Sequence, residues 1–88
     1  MKSNMQVILD FMSGKTSRNA HLRTDGFRLV NYSTCICEKT DDGYIMNETK
    51  YSVTTSKIQS WTRGAIKNKY IPTNRYVPMG TTYLGYYI

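Results

Sequence analysis

Phe27-Arg28-Leu29-Val30-Asn31-Tyr32-Ser33-Thr34-Cys35-Ile36-Cys37-Glu38 is rich in β-branched and aromatic residues and lacks Gly and Pro, the composition of an extended strand. Asp25-Gly26 before it is a strong hairpin signal, and Asp41-Asp42-Gly43 after it supplies a second turn. The run is long enough to bend near Asn31 and still count as one strand. Upstream, Ala20 and Leu22 alternate with His21 and Arg23; downstream, Tyr44-Ile45-Met46 makes a further strand. Residues 18–53 thus read as an antiparallel β-meander of about three strands, which Tyr51 and Val53 either extend or leave.

Helical patterns flank this sheet. Ser3-Asn4-Met5-Gln6 has the hydroxyl and amide spacing of a capping box, and Val7, Ile8, Phe11 and Met12 follow at helical spacing before Ser13-Gly14. A short helix over 4–13 is expected. After the meander, Thr54-Thr55-Ser56 precedes Ile58, Trp61, Ala65 and Ile66, which share one arc of a helix over about 54–69, closed by Pro72. That arc packs on the sheet, and Arg63 and Lys67 face water. Gly64 weakens such a helix by about 1 kcal/mol relative to Ala, so packing around Trp61 must hold it. Residues 70–88, with Tyr70, Tyr76, Tyr83, Tyr86 and Tyr87 among Pro72, Pro78, Gly80 and Gly85, read as an arm with one or two short strands. The expected fold class is α+β in a single domain, 1–88: a small antiparallel meander against one amphipathic helix, with a short N-terminal helix and a Tyr-rich C-terminal arm.

At 88 residues and 10.2 kDa the chain supports one modest core. It holds no apolar run of about 18 residues, so no membrane span is expected, and it is too small for a deep enclosed cleft. Asp10 interrupts Val7-Ile8-Leu9 and no small-residue cleavage site follows, so the N-terminus does not read as a signal peptide. Cys35 and Cys37 occupy alternate positions of one strand, which puts both on one face as small buried residues and fits a reducing compartment. His21 is the only histidine and has no nucleophile arranged with it; Asp41-Asp42 is explained by turn chemistry. Neither catalysis, nor a metal, nor a cofactor is expected.

Charge is more informative. Residues 1–48 balance Lys2, Lys15, Arg18, Arg23, Arg28 and Lys39 against Asp10, Asp25, Glu38, Asp41, Asp42 and Glu48, whereas 49–88 carry Lys50, Lys57, Arg63, Lys67, Lys69 and Arg75 without a carboxylate side chain. The whole formal charge of +6 therefore belongs to the second half. Such a field attracts phosphate backbones, anionic lipid headgroups or an acidic protein surface. The candidate binding residues are those six cations with Tyr76, Tyr83 and Tyr86, which either stack bases, anchor a protein partner or simply cover the sheet. Thr54, Thr55 and Ser56, at a helix start without acidic residues, are candidates for an anion, though an ordinary N-cap explains them too.

The run Asn47-Glu48-Thr49-Lys50-Tyr51-Ser52-Val53-Thr54-Thr55-Ser56-Lys57-Ile58-Gln59, with the preceding Tyr32-Ser33-Thr34-Cys35-Ile36, resembles a domain of small bacteriophage proteins over about residues 20–63. The N-terminal helix and the Tyr-rich tail fall outside that similarity. The resemblance implies a phage origin and the host cytoplasm, and brings no catalytic or binding residues with it. The expected function is a non-enzymatic binding protein acting on DNA or RNA through its basic second half. The alternative is an anti-defence protein that occupies a host nucleic-acid-handling protein, such as a restriction or CRISPR nuclease. Unpaired strand edges make a homodimer an option.

Overall fold

In the computed structural model, which describes residues 2–67 and 69–88, helix α1 (Asn4–Met12) precedes β1 (Ser17–Arg18), β2 (Leu22–Thr24), β3 (Arg28–Asn31), β4 (Thr34–Thr40) and β5 (Gly43–Met46). Helix α2 (Val53–Ile66) then leads to β6 (Tyr70–Pro72) and a final 3-10 turn, Gly85–Tyr87. The strands form one sheet in the order β1-β2-β3-β4-β5-β6. Neighbours from β1 to β5 are antiparallel and β6 is parallel to β5.

The expected sheet of about three strands is therefore corrected to six. One of the three added strands comes from the 27–38 run, which is a hairpin and not one bent strand: Asn31 pairs with Thr34, and Tyr32-Ser33 is the loop. Tyr32 adopts φ 55° there, at a position that usually announces itself as Gly. Ser17-Arg18 adds a short edge by pairing with Thr24 and Arg23. A parallel neighbour needs a long crossover, which α2 provides, and Tyr70–Pro72 returns beside Tyr44–Met46.

A β-bulge alters the sheet's two faces. Leu29 pairs with Cys37 and Val30 with Cys35, leaving Ile36 as the extra residue of β4. The cysteines expected on one face are thereby separated. Cys37 and Ile36 join Val7, Ile8, Phe11, Leu22, Leu29, Met46, Ile58 and Ile66 under the helices, while Cys35 packs with Ile45, Val77 and Leu84 beneath the arm.

Helix α1 starts as expected, Ser3 Oγ accepting from Gln6 N at 3.1 Å. Its far end is held by Lys39 Nζ, 3.2 Å from Met12 O and 5.7 Å above the Phe11 ring. Helix α2 is capped by Ser52, whose Oγ accepts from Thr55 N at 3.2 Å, and ends at Ile66, short of the expected 69; Asn68 lies outside the described residues. Its buried face is Thr55, Ile58, Gln59, Thr62 and Ile66, so the arc expected around Trp61 is rotated. Trp61 is 45% exposed. Polar residues can take the inner face because each finds a partner: Thr55 Oγ1 donates to Asn31 Oδ1 at 2.9 Å, and Gln59 Nε2 donates to Asn47 O at 2.8 Å and Thr49 O at 2.9 Å.

The arm docks on the other side of the sheet. Cys35 N donates to Thr81 O (2.7 Å), Gly80 N to Thr34 Oγ1 (2.9 Å) and Leu84 N to Glu38 Oε1 (3.0 Å). The Tyr51 hydroxyl donates to Val77 O and accepts from Asn47 Nδ2 at 3.0 Å, fixing the start of the arm. Because the arm covers β4 and β5, the part of this face belonging to β1, β2 and β3 stays open. Among the described residues, no helix is long and apolar enough to cross a membrane.

Candidate functional site

The six second-half cations do not share one cleft. Arg63 leans to the rim of α2 and pairs with Glu48, Nη1 to Oε1 at 2.5 Å. Lys57 is exposed on α2 and Lys67 just beyond it, while Lys69 lines a separate shallow cleft with Asp42 and Tyr70. Lys50 does bring some of them together. It lines one cleft with Ser56, Gln59 and Arg63 and another with Arg75 and Tyr76, and Glu48 sits in both. Arg75 lies 5.8 Å from the Tyr86 ring centroid. Tyr76, Tyr83 and Tyr86 are all exposed on the arm. At the start of α2 the expected anion site is reduced, since Thr55 is buried and turned to Asn31 and Ser56 N donates to Ser52 O; Thr54 is left exposed.

A stronger constellation arises in the first half. Arg18 and Arg23 are direct cross-strand partners, Arg23 faces Val30 in the next pair, and Arg28 lies two residues before Val30 on the same strand face. The three guanidinium side chains surround a cleft of about 520 Å³ on the open part of the sheet, with Val30, Thr16, Ser17, Thr24 and Asp25 completing its walls. Like charges directly opposite one another on adjacent strands destabilise a sheet, by up to about 1 kcal/mol. Among the described residues, neither Arg18 nor Arg23 has a carboxylate in ion-pair range.

Two carboxylates lie nearby, Asp25 in the cleft wall and Glu38 beside Arg28. Asp25 Oδ1 accepts from Phe27 N at 2.8 Å and Arg28 N at 2.9 Å, and these backbone donors, Arg28's first, hold its carboxyl below the usual range. Glu38 accepts from Leu84 N and forms an ion pair with Arg28, Oε1 to Nε at 3.4 Å; among the described residues that Nε is buried without a hydrogen-bond partner. A guanidinium fork with free donors is suited to phosphate oxygens, bidentately.

The sequence hides this site because the first half sums to zero. Each of these acids has local partners, Asp10 with Lys2, Asp25 with backbone amides and Glu38 with Arg28 and Leu84 N, so a neutral sum does not reveal that Arg18 and Arg23 stand together without a carboxylate in ion-pair range among the described residues. The signal available was register: Arg18, Arg23 and Arg28 straddle the Asp25-Gly26 turn at positions that two successive hairpins bring to one face.

Fold and site together define a small α+β protein with a helix-covered sheet face and a second face shared between a docked arm and an arginine-lined cleft. Residues 3–77 match the family of unknown function DUF8033, and the chain belongs to that family. The match takes in α1, which the bacteriophage resemblance left out, and stops where the arm begins to cross β4. No curated protein and no solved structure shows a significant match. Among the described residues, no group of three or more His, Cys, Asp or Glu side chains is placed to hold a metal ion.

Proposed function

We propose that the protein is a non-enzymatic nucleic-acid-binding module whose primary contact is the cleft formed by Arg18, Arg23 and Arg28. The observation that carries this reading is the convergence of three arginines on one uncovered sheet face, two of which, Arg18 and Arg23, have no carboxylate in ion-pair range among the described residues. The exposed Arg75, Tyr76 and Tyr86 with Lys50 supply a secondary contact on the same terms, cations for phosphates and rings for bases. A phage-infected cell is the proposed setting, supported by the resemblance of the 47–59 run.

Binding to a fluorescent oligonucleotide tests it. Affinity falls with salt, with a log–log slope of about −2 if three cations meet phosphates of a single strand. Arg18→Glu weakens binding at least tenfold, whereas Lys57→Glu, the same charge change on α2, alters it only about twofold. Equal losses in the two variants would point to a diffuse field in place of a cleft. No binding by the unaltered protein at low salt would end the proposal. The alternative, capture of a host nuclease, draws on the exposed Tyr76 and Tyr86 beside Arg75, residue types that dominate protein hot spots. Such a complex survives nuclease digestion of the lysate, and nucleic-acid bridging does not.

A further inference from the structure

The loop joining β3 and β4 is Tyr32-Ser33, and Tyr32 is held at φ 55°, in the left-handed region. Gly is the usual residue at such a position, because a Cβ is strained there. The turn itself asks only for backbone. Tyr32 N donates to His21 O at 2.7 Å, and Tyr32 O accepts from Arg23 Nη1 at 2.6 Å; Gly would make both bonds. A tyrosine is thus kept against local preference, and burial does not explain it, since the residue is 67% exposed.

One face of the ring is backed. The Tyr32 and His21 rings stack with centroids 5.8 Å apart and an interplanar angle of 28°. His21 is itself fixed by its main chain, its N donating to Asn19 Oδ1 (3.1 Å) and its O accepting from Tyr32 N and from Asn31 Nδ2 (3.1 Å). Among the described residues its Nε2 is buried without a hydrogen-bond partner, and its ring face is turned to Tyr32. The pair lines a cleft of about 400 Å³ with Asn19, Ser33, Arg18 and Arg23, and both arginines also line the phosphate cleft. Strained backbone of this kind persists at ligand sites.

We propose that Tyr32, braced by His21, is the platform on which an unpaired nucleobase stacks while Arg18 and Arg23 hold the adjoining phosphates. The inference rests on the nucleic-acid reading above and adds to it a ligand class: single strands or frayed ends, whose bases are free to leave the helix stack, over closed duplex.

Titration of Tyr32→Phe, Tyr32→Ala and Tyr32→Gly against a short oligothymidylate, and against the same strand annealed in duplex, tests it. Phe keeps single-strand affinity within about twofold. Ala and Gly weaken it about tenfold or more, the loss expected of one base stack, and leave duplex binding unchanged. The Gly variant keeps or raises the thermal midpoint, which separates lost stacking from lost folding. A second readout needs no such separation: with Trp61→Phe removing the only tryptophan, Tyr32→Trp places an indole at the platform, and its emission is quenched as the oligonucleotide saturates. Binding that saturates without quenching, or Ala and Gly variants that bind like the unaltered protein while Arg18→Glu does not, overturns the platform and leaves the cleft standing. An unaltered protein that binds no strand overturns both.

Discussion

Asp10 keeps its charge because three donors converge on it at the point where α1 meets β1. The Ser17 hydroxyl, the Lys2 ammonium and the Gln6 amide together lower its carboxyl to about 2. Lys2 Nζ stands 3.0 Å from Oδ2 and Gln6 Nε2 3.0 Å from Oδ1. The folded state therefore favours the ionised form, and linkage gives the sign: the stabilisation is complete above the ordinary carboxylate value and disappears as pH falls toward about 2. Denaturant midpoints measured from pH 5 down to pH 2 are expected to decline, and Asp10→Asn to flatten that decline. Asp25, lowered by the Arg28 and Phe27 amides, leaves a residual slope in the variant. An unchanged pH profile in Asp10→Asn would show that the cluster contributes nothing to folding.

At the scale of elements, α2 shows how polar partners redirect a helix. At about 100° per residue, Thr55, Ile58, Gln59, Thr62 and Ile66 span an arc of about 100°, and Trp61 falls about 60° outside one edge. Gln59 is 3% exposed, and removing its amide leaves the carbonyls of Asn47 and Thr49 without their donor, at about 2–3 kcal/mol. Gln59→Ala is thus expected to lower stability more than Trp61→Ala, which removes a half-exposed ring for about 1 kcal/mol or less. Urea unfolding of the two variants decides, and the reverse order would restore Trp61 as the anchor of the helix.

The same helix marks where the sequence was legible. Ser3 and the spacing of Val7, Ile8 and Phe11 locate α1 almost to the residue, since cap and period are local signals. The inner face of α2 was not legible, because Thr55, Gln59 and Thr62 look like surface residues until Asn31 and Asn47 arrive from the sheet. The hairpin at Tyr32-Ser33 carried no Gly to mark it, and the bulge at Ile36 depends on which residue of β3 it faces. The run 47–59 that drew the bacteriophage resemblance is largely scaffold: Asn47 alone reaches Cys35 O, the Tyr51 hydroxyl and Thr49 N. The arginine cleft needed the register of three strands, which composition by halves cannot supply.

The whole molecule is a sheet with two unequal covers. Its helix side holds the larger apolar cluster, including Cys37, and its arm side a smaller one in which Val77 and Leu84 close over Cys35 and Ile45. Burial pushes the Cys35 thiol up to about 12 and Cys37 higher still, so neither is a thiolate near neutral pH. The family match ends at Val77, and the helix-side cluster draws on no residue beyond Tyr70. A chain ending at Val77 is therefore expected to keep its far-ultraviolet circular dichroism while losing Leu84, Thr81 O and the cover of Cys35. Titration with an aromatic disulfide at pH 8 is expected to find no reactive thiol in the native full-length chain and one in the shortened chain. Replacing Cys35 by Ser removes that one, since Cys37 stays under the helices. Reaction of both thiols would mean that the arm supports the entire fold, and reaction of neither that it is an ornament on a sheet already closed. One reactive thiol places the arm as a separable cover, whose removal leaves Arg18, Arg23 and Arg28 in register, so that the proposed arginine contact is measurable in the shortened chain apart from anything Tyr83 and Tyr86 add.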